Sequence, residues 1–466
     1  MGELSPVLSL LSPQESFREF RDNGLVLDGM PFGLENICDY EPGGHHPVHL
    51  GDVLNGRYKV MDKLGHGGRA NIWLCRDVFQ QALTTQYFAV KVLMASASID
   101  DSPELRAYRL LRRGLAKSDA AEHLCLPLGR FDFQGPNGRH FAVVYPVLGP
   151  RVVVSRPVSH LVAEKGKPVR EARKLCFQAV KAMASLHSHG ICHGDFRPAN
   201  ILMRIQGPAG LSEDELRLTL GPPRTVDVVQ ASGEGPWPLT APAYLVKPIE
   251  WGLLDLSGNE FDLVTDKLCV VDFAESFDVR DLPEDLATPL EYCPPEYVLD
   301  KRLGTASDIW ALGCTLFEIR AGRRLFDIPV EDPDEHLVRM VEILGKLPEP
   351  WWSTTWEARR RCLGDGRYTA GWPRGAGNSW LGDESELHAP PSRVPLAKKR
   401  SSSSSIEDLL AGGLVHDFNH LGTGNHDRAQ EEEMALFADL LRRIFKYVPE
   451  QRISAEGILE HPWFAL

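Results

Sequence analysis

The stretch His193-Gly194-Asp195-Phe196-Arg197-Pro198-Ala199-Asn200, running into the apolar pair Ile201-Leu202, decides how the rest of the chain is read. It fits the spacing H-x-D-x-x-x-x-N. The Asp195 carboxylate can accept the proton of an attacking hydroxyl, and the Asn200 amide can ligate a metal ion. Arg197 adds positive charge that can steady a transferring phosphoryl group. A helix leads into the stretch: Ala172, Leu175, Cys176, Ala179, Met183, Leu186 and His187 recur at i, i+3, i+4 spacing, and Gly190 closes it.

Three more pieces lie outward from this one. On the N-terminal side, 58–64, 70–76 and 87–92 read as strands separated by turns. Between the first two, after Leu64, stands Gly65-His66-Gly67-Gly68-Arg69-Ala70-Asn71-Ile72, close to G-x-G-x-x-G-x-V with Ala70 as the third small residue. Glycine lets backbone approach phosphate oxygens, although a plain hairpin turn explains this segment alone equally well. The third strand carries Phe88-Ala89-Val90-Lys91, and a lysine on a buried strand is costly unless paired. Glu104 is the candidate partner, on a helix over 103–114 capped by Ser102 with Pro103 in the first turn. Ala107, Tyr108 and Leu111 give that helix a packing face, and the competing reading of Glu104 is a solvated surface acid. On the C-terminal side stands Val270-Val271-Asp272-Phe273-Ala274. Oxygen donors from Asp272 and Asn200 suit Mg²⁺.

In this order the four pieces resemble the nucleotide and catalytic segments of protein kinases. Small-molecule phosphotransferases share the middle of the pattern. The C-terminal half discriminates: Pro294-Pro295-Glu296 resembles A-P-E, Asp308-Ile309-Trp310-Ala311-Leu312-Gly313 resembles D-x-W-x-x-G, and Arg452 is placed to pair with Glu296. The resemblance implies a bilobal α+β fold, with a small strand-rich lobe over 57–146, a large helical lobe over 147–466 and ATP between them. Residues 1–56 form an N-terminal extension, read as an extended lead-in. Two Gly- and Pro-containing stretches, about 205–265 and 355–430, read as inserts. The second holds Lys398-Lys399-Arg400 before five serines, a loop-like segment for which nuclear import or phosphorylation stays open.

The chain is more closely similar to the SR-protein kinase family, on the lead-in 40–52 (YEPGGHHPVHLGD), on 57–74 (RYKVMDKLGHGGRANIWL) and on the insert between the catalytic loop and Asp272. This implies a serine/threonine kinase using ATP and Mg²⁺, with adenine near Val147 and Leu148. The family's substrates are proteins rich in arginine-serine repeats, and Glu335 and Glu342 match two of its docking acids. A third family acid is replaced by Arg323, whose charge opposes an arginine-rich peptide. Tyr145-Pro146 at the hinge, Ala274 and Ala70 also depart from the pattern, and they leave open a non-catalytic scaffold that recruits basic partners. Gly194 stands where many kinases carry an arginine that grips a phosphorylated activation segment, so activity without that modification is expected.

Composition bounds the rest. The 466 residues are 43% hydrophobic and 25% charged, as in globular proteins. No apolar run is long enough to span a membrane. A net charge of −13 disfavours direct nucleic-acid binding. Nine cysteines form no C-x-x-C pair and read as small buried hydrophobes in a reducing compartment. Pro6 disrupts a myristoylation signal and no signal peptide is visible, giving a cytoplasmic or nuclear monomer acting on protein substrates.

Overall fold

Alternating apolar residues over 58–93 form antiparallel strands, because period-two side chains can bury one face of a sheet at a time. The computed structural model describes residues 23–79, 85–114, 122–152, 167–206, 210–231, 233, 236–251, 264–363, 406–411 and 428–466. The small lobe comprises β1 (Leu25–Leu27), β2 (Val53–Leu54), β3 (Tyr58–Gly67), β4 (Ala70–Asp77), β5 (Tyr87–Leu93), α1 (Pro103–Gly114), β6 (Gly129–Gly135) and β7 (Gly138–Tyr145). Six of its strands form an antiparallel sheet in the order β2-β3-β4-β5-β7-β6. Helix α1 bridges two cores: Leu105 packs with Ala70, Leu93 and Phe141 of the sheet, while Ala107 and Leu111 enter the core of the large lobe.

The large lobe continues with β8 (Leu148–Arg151), α2 (Lys167–Ser188), β9 (Ile191–Cys192), β10 (Ile201–Ile205), α3 (Glu213–Leu220), β11 (Thr225–Gln230), β12 (Tyr244–Val246), β13 (Val264–Val270) and β14 (Phe277–Asp278). Among the described residues, seven helices follow: α4 (Pro295–Asp300), α5 (Thr305–Ala321), α6 (Pro333–Leu344), α7 (Arg359–Leu363), α8 (Ile406–Ala411), α9 (Arg428–Ile444) and α10 (Ala455–Leu459). Helix α5 is apolar on nearly every side and forms the axis of the core. Trp310 stacks on Phe326 and meets Phe445 edge-on, and Phe437 stacks on Trp463 at 4.3 Å. Arg452 forks onto Glu296 at 2.5 and 2.6 Å, with both side chains almost wholly buried, so the expected pair is present. No described helix is long and apolar enough to cross a membrane.

Several expectations need correction. The described part of the lead-in is not merely extended. Leu25–Leu27 pairs with β11 of the first insert, and Tyr40 is buried. That insert, read as weakly periodic, contains α3 and a three-stranded sheet β1-β11-β12. Both its ends join the large lobe, yet its body lies on the small lobe: Glu213 bridges Lys59 and Arg76 at 3.2 and 3.3 Å, and Ile249 N donates to Lys63 O at 2.9 Å. The serine run lies outside the described residues.

Candidate active site

Lys91 faces the cleft because β5 pairs it with Ile72 of β4, and paired residues project to the same side of a sheet. Its Nζ lies 2.8 Å from Glu104 Oε2 and 3.1 Å from Asp272 Oδ1, with Glu104 supplied by the first turn of α1. Burial works against the ammonium, but the Asp272 and Glu104 carboxylates hold its pKa above the ordinary lysine value. In return, the Lys91 charge holds the Asp272 carboxyl below its usual range. Glu104 Oε1 also accepts from Tyr145 Oη at 2.7 Å. The alternative of a solvated Glu104 is excluded by its 7% exposure.

The catalytic stretch follows β9. Asp308 of α5 braces it from beneath, accepting from His193 N at 2.7 Å and Gly194 N at 3.0 Å. The His193 ring packs 5.0 Å from that of Phe273, and its Nε2 sits 3.2 Å from Val271 O, which ties this stretch to the segment carrying Asp272. Asn200 Nδ2 donates to Asp195 O at 2.9 Å and to Asp195 Oδ2 at 2.7 Å. Arg197 Nε lies 3.0 Å from both Asp195 carboxylate oxygens. The arrangement brings one oriented carboxylate, Asp195, beside a cleft lined by Lys91 and Asp272. With its amide nitrogen on Asp195, Asn200 has its side-chain oxygen available to accept a metal ion. Asp272 uses Oδ1 on Lys91 and is half exposed. Two hard oxygen donors of this kind fit Mg²⁺.

The glycine-rich segment forms the β3–β4 hairpin over the site, turning at Gly68-Arg69. Leu64 and Val147 belong to one apolar cluster, joined by Leu211 and Leu216 of the insert. Leu148 packs behind the cleft with Leu202, Val271 and Cys269. Gly65, Gly67 and Gly68 are open, with no atom within 4 Å of an added Cβ. His66 is exposed and its Nε2 lies 3.2 Å from Gly33 O, while Arg69 is also exposed. The expectation for Asn71 requires correction. Its side chain turns to the opposite face of the sheet, where Nδ2 reaches Tyr40 Oη at 3.3 Å and Glu35 Oε1 at 3.4 Å.

Comparison with known proteins agrees with this geometry. Residues 263–464 match the protein kinase domain family. The chain is 23% identical over 461 residues to a serine/threonine-protein kinase SRPK from Physarum polycephalum, covering 95% of this chain and 93% of that protein. It is 24% identical to protein kinase dsk1 of Schizosaccharomyces pombe over 68% of this chain and 71% of that one. It is 31% identical to human SRSF protein kinase 3 over 37% of this chain and 30% of the relative. A solved kinase domain superposes with a TM-score of 0.56 over 90% of this chain and 98% of its own, at 20% identity. The chain is a protein serine/threonine kinase, similar over most of its length to SR-protein kinases.

Within this kinase, Ala274 and Ala70 need no glycine conformation, since the described non-glycine residues with positive φ are Asn55, Asp272 and Lys301. Those two departures therefore lend no support to a non-catalytic scaffold. Glu335 and Glu342 lie on α6. Burial and the nearby Asp332 and Glu342 carboxylates push the Glu335 carboxyl up, and Arg339 Nη1 pairs with Glu342 at 2.9 Å. Arg323 turns inward: its Nη2 donates to Leu409 O of α8, and its guanidinium sits 5.5 Å from the Phe317 ring centre. Sequence reasoning missed Tyr145 as a partner of Glu104. It also missed Glu35 and Tyr40, because no local spacing connects them to the hairpin they touch.

Proposed function

We propose that this kinase transfers the ATP γ-phosphate to serine or threonine hydroxyls in arginine-serine-rich proteins. The observation carrying the chemical half is the continuous ion-pair chain Glu104–Lys91–Asp272 beside an Asp195 oriented by Asn200 and Arg197. Asp195 takes the proton of the attacking hydroxyl. Lys91, locked by Glu104, orients the phosphates, and Leu64, Ile72, Val147 and Leu148 form the apolar walls for the base. Asp272 and Asn200 would hold Mg²⁺, which when bound neutralises charge on the phosphates. Arg197, fixed on Asp195, contributes positive charge beside the transferred group.

The substrate half rests on charge. Glu335 and Glu342, the latter shared with Arg339, supply the acids of α6, and Arg323 turns its guanidinium onto a carbonyl of α8 rather than toward a docked peptide. The name of the human relative points to SRSF proteins as substrates of that enzyme. We extend the reading to a monomeric kinase of the cytoplasm or nucleus acting on proteins rather than nucleic acid, in keeping with the net charge of −13. Reversing the two acids together (Glu335→Lys with Glu342→Lys) should raise KM for an arginine-serine repeat peptide about tenfold, equivalent to ~1.4 kcal/mol, with KM for ATP unchanged. An unchanged peptide KM would contradict the docking assignment.

A further inference from the structure

The β3–β4 hairpin has two faces, and the nucleotide reading uses one of them. Ile72 and Lys91 project into the cleft. Asn71, Lys63 and Trp73 therefore project away from it, since Trp73 is two residues from Asn71 and pairs with Lys63. That outer face is covered by the N-terminal strap. Glu35, 5% exposed, ion-pairs through Oε2 with Lys63 Nζ, whose side chain is wholly buried. Glu35 Oε1 accepts from Tyr40 Oη at 2.7 Å and from Asn71 Nδ2 at 3.4 Å, so one carboxylate gathers groups from the strap and both strands. Lys63 Nζ lies 5.3 Å from the Trp73 ring centre. The Lys63 ammonium holds the Glu35 carboxyl below its ordinary range against the opposing effect of burial.

The strap is itself anchored on the residues after β5, where Ala95 N and Ser96 N donate to Gly44 O and Gly43 O, and on the β6–β7 turn. Gly43 N donates to Asn137 O at 2.7 Å, and Asn137 Nδ2 donates to His45 O at 2.6 Å, at the turn between β6 and β7. Gly44 is packed so tightly that a Cβ would sit 1.8 Å from Asp39 O. The hairpin is soft by contrast: Gly65, Gly67 and Gly68 have open surroundings and glycine backbone freedom. Met94 N donates to Arg69 O at its turn at 2.9 Å, and the buried Glu35–Lys63 pair holds its outer face, where removing one partner is strongly unfavourable.

We propose that Glu35 is a positioning residue for nucleotide binding, fixing the β3–β4 hairpin at the height where the backbone of 65–68 closes over the ATP phosphates. This rests on the ATP reading above. The test measures ATP affinity directly, by displacement of a fluorescent ATP analogue, alongside steady-state kinetics of the full chain. Glu35→Gln should weaken ATP binding and raise KM for ATP about tenfold, with kcat and the peptide KM within about twofold. Replacing both charges by apolar groups, Glu35→Leu with Lys63→Met, should restore ATP affinity to within about threefold, because a packed apolar pair can substitute for a buried ion pair. Asn137→Ala, which loosens the anchor on the β6–β7 turn, should lower the melting temperature while leaving ATP affinity unchanged. Should Glu35→Gln fail to fold, Tyr40→Phe removes only the hydroxyl, and an increase of about threefold in KM for ATP is expected. Unchanged ATP affinity in the foldable Glu35 or Tyr40 variant, or an equal loss in Asn137→Ala, would overturn the proposal while leaving the ATP reading intact. Failure of the wild-type chain to bind ATP would overturn both.

Discussion

His336 of α6 is completely buried, with Nε2 2.9 Å from Cys293 O in the segment that precedes α4. Burial lowers its pKa to about 4, and His46, beside His140 and His49, is also lowered to about 4. Both folded values lie below the free-histidine value, so between about pH 6.5 and 4 the unfolded chain binds protons that the folded chain refuses. Stability is therefore lost as pH falls through this window. Asp62, raised to about 6 by burial, acts in the opposite direction with the raised Glu318 and Glu335, against the lowered histidines His46, His66, His123, His140 and His336. The melting temperature should fall from pH 7.5 to pH 5, with His336 alone accounting for about 2 kcal/mol at pH 5. The fall should be shallower in His336→Gln, and a flat or rising profile would contradict the assignment. At this scale the sequence made some residues legible and hid others. Lys91, Glu104, Asp195, Asn200 and Asp272 could be read because a charge on a buried strand or an oxygen ligand needs a partner of definite type. The outward turn of Asn71 and the inward turn of Arg323 could not, since each depends on strand register or on a helix distant in sequence.

Gly194 has φ +80°, and a Cβ there would lie 2.2 Å from Glu275 O. No larger residue fits this position without moving the activation segment, so the arginine found in many kinases is sterically excluded. The segment is held by other means: Ala287 N donates to Glu275 Oε2 at 3.1 Å, Thr288 Oγ1 donates to Gly194 O, and Tyr297 Oη donates to Asp285. Phosphatase-treated kinase should keep its activity to within about twofold, and Gly194→Ala should cost roughly 1–3 kcal/mol of stability along with activity. Loss of activity on phosphatase treatment would contradict this view. Among the elements, β3 to β5, α1 and α2 were legible because their periodicity and caps agree. The insert was less so, although its signals were present: Ser212 and Glu215 form a complete capping box at the start of α3, and 225–230 (TVDVVQ) is rich in β-branched residues. Their shortness and the surrounding Gly and Pro masked them. The pairing of β1 with β11 joins residues about two hundred positions apart, and no local pattern announces such a contact.

Across the whole molecule, the two lobes are joined by more than the hinge at 145–148. Helix α1 packs into both cores, and the insert leaves β10 and returns to β13 of the large lobe while its body clasps β3 and β4. The insert thereby links the catalytic loop, the Asp272 segment and the glycine-rich hairpin. The bilobal fold was legible in the sequence because its motifs fall in a fixed order; this second link was not, because it runs over the surface. The central claim is that these parts form a working kinase with a preference for arginine-serine substrates. It is tested most directly by radiolabelled phosphate transfer from Mg·ATP to two peptides, an arginine-serine repeat and a generic basic serine peptide, with Asp195→Asn as control. The account predicts transfer that favours the repeat and falls by at least about 10²–10⁴ in Asp195→Asn. Transfer to neither peptide with ATP binding intact, or transfer undiminished in Asp195→Asn, would contradict it.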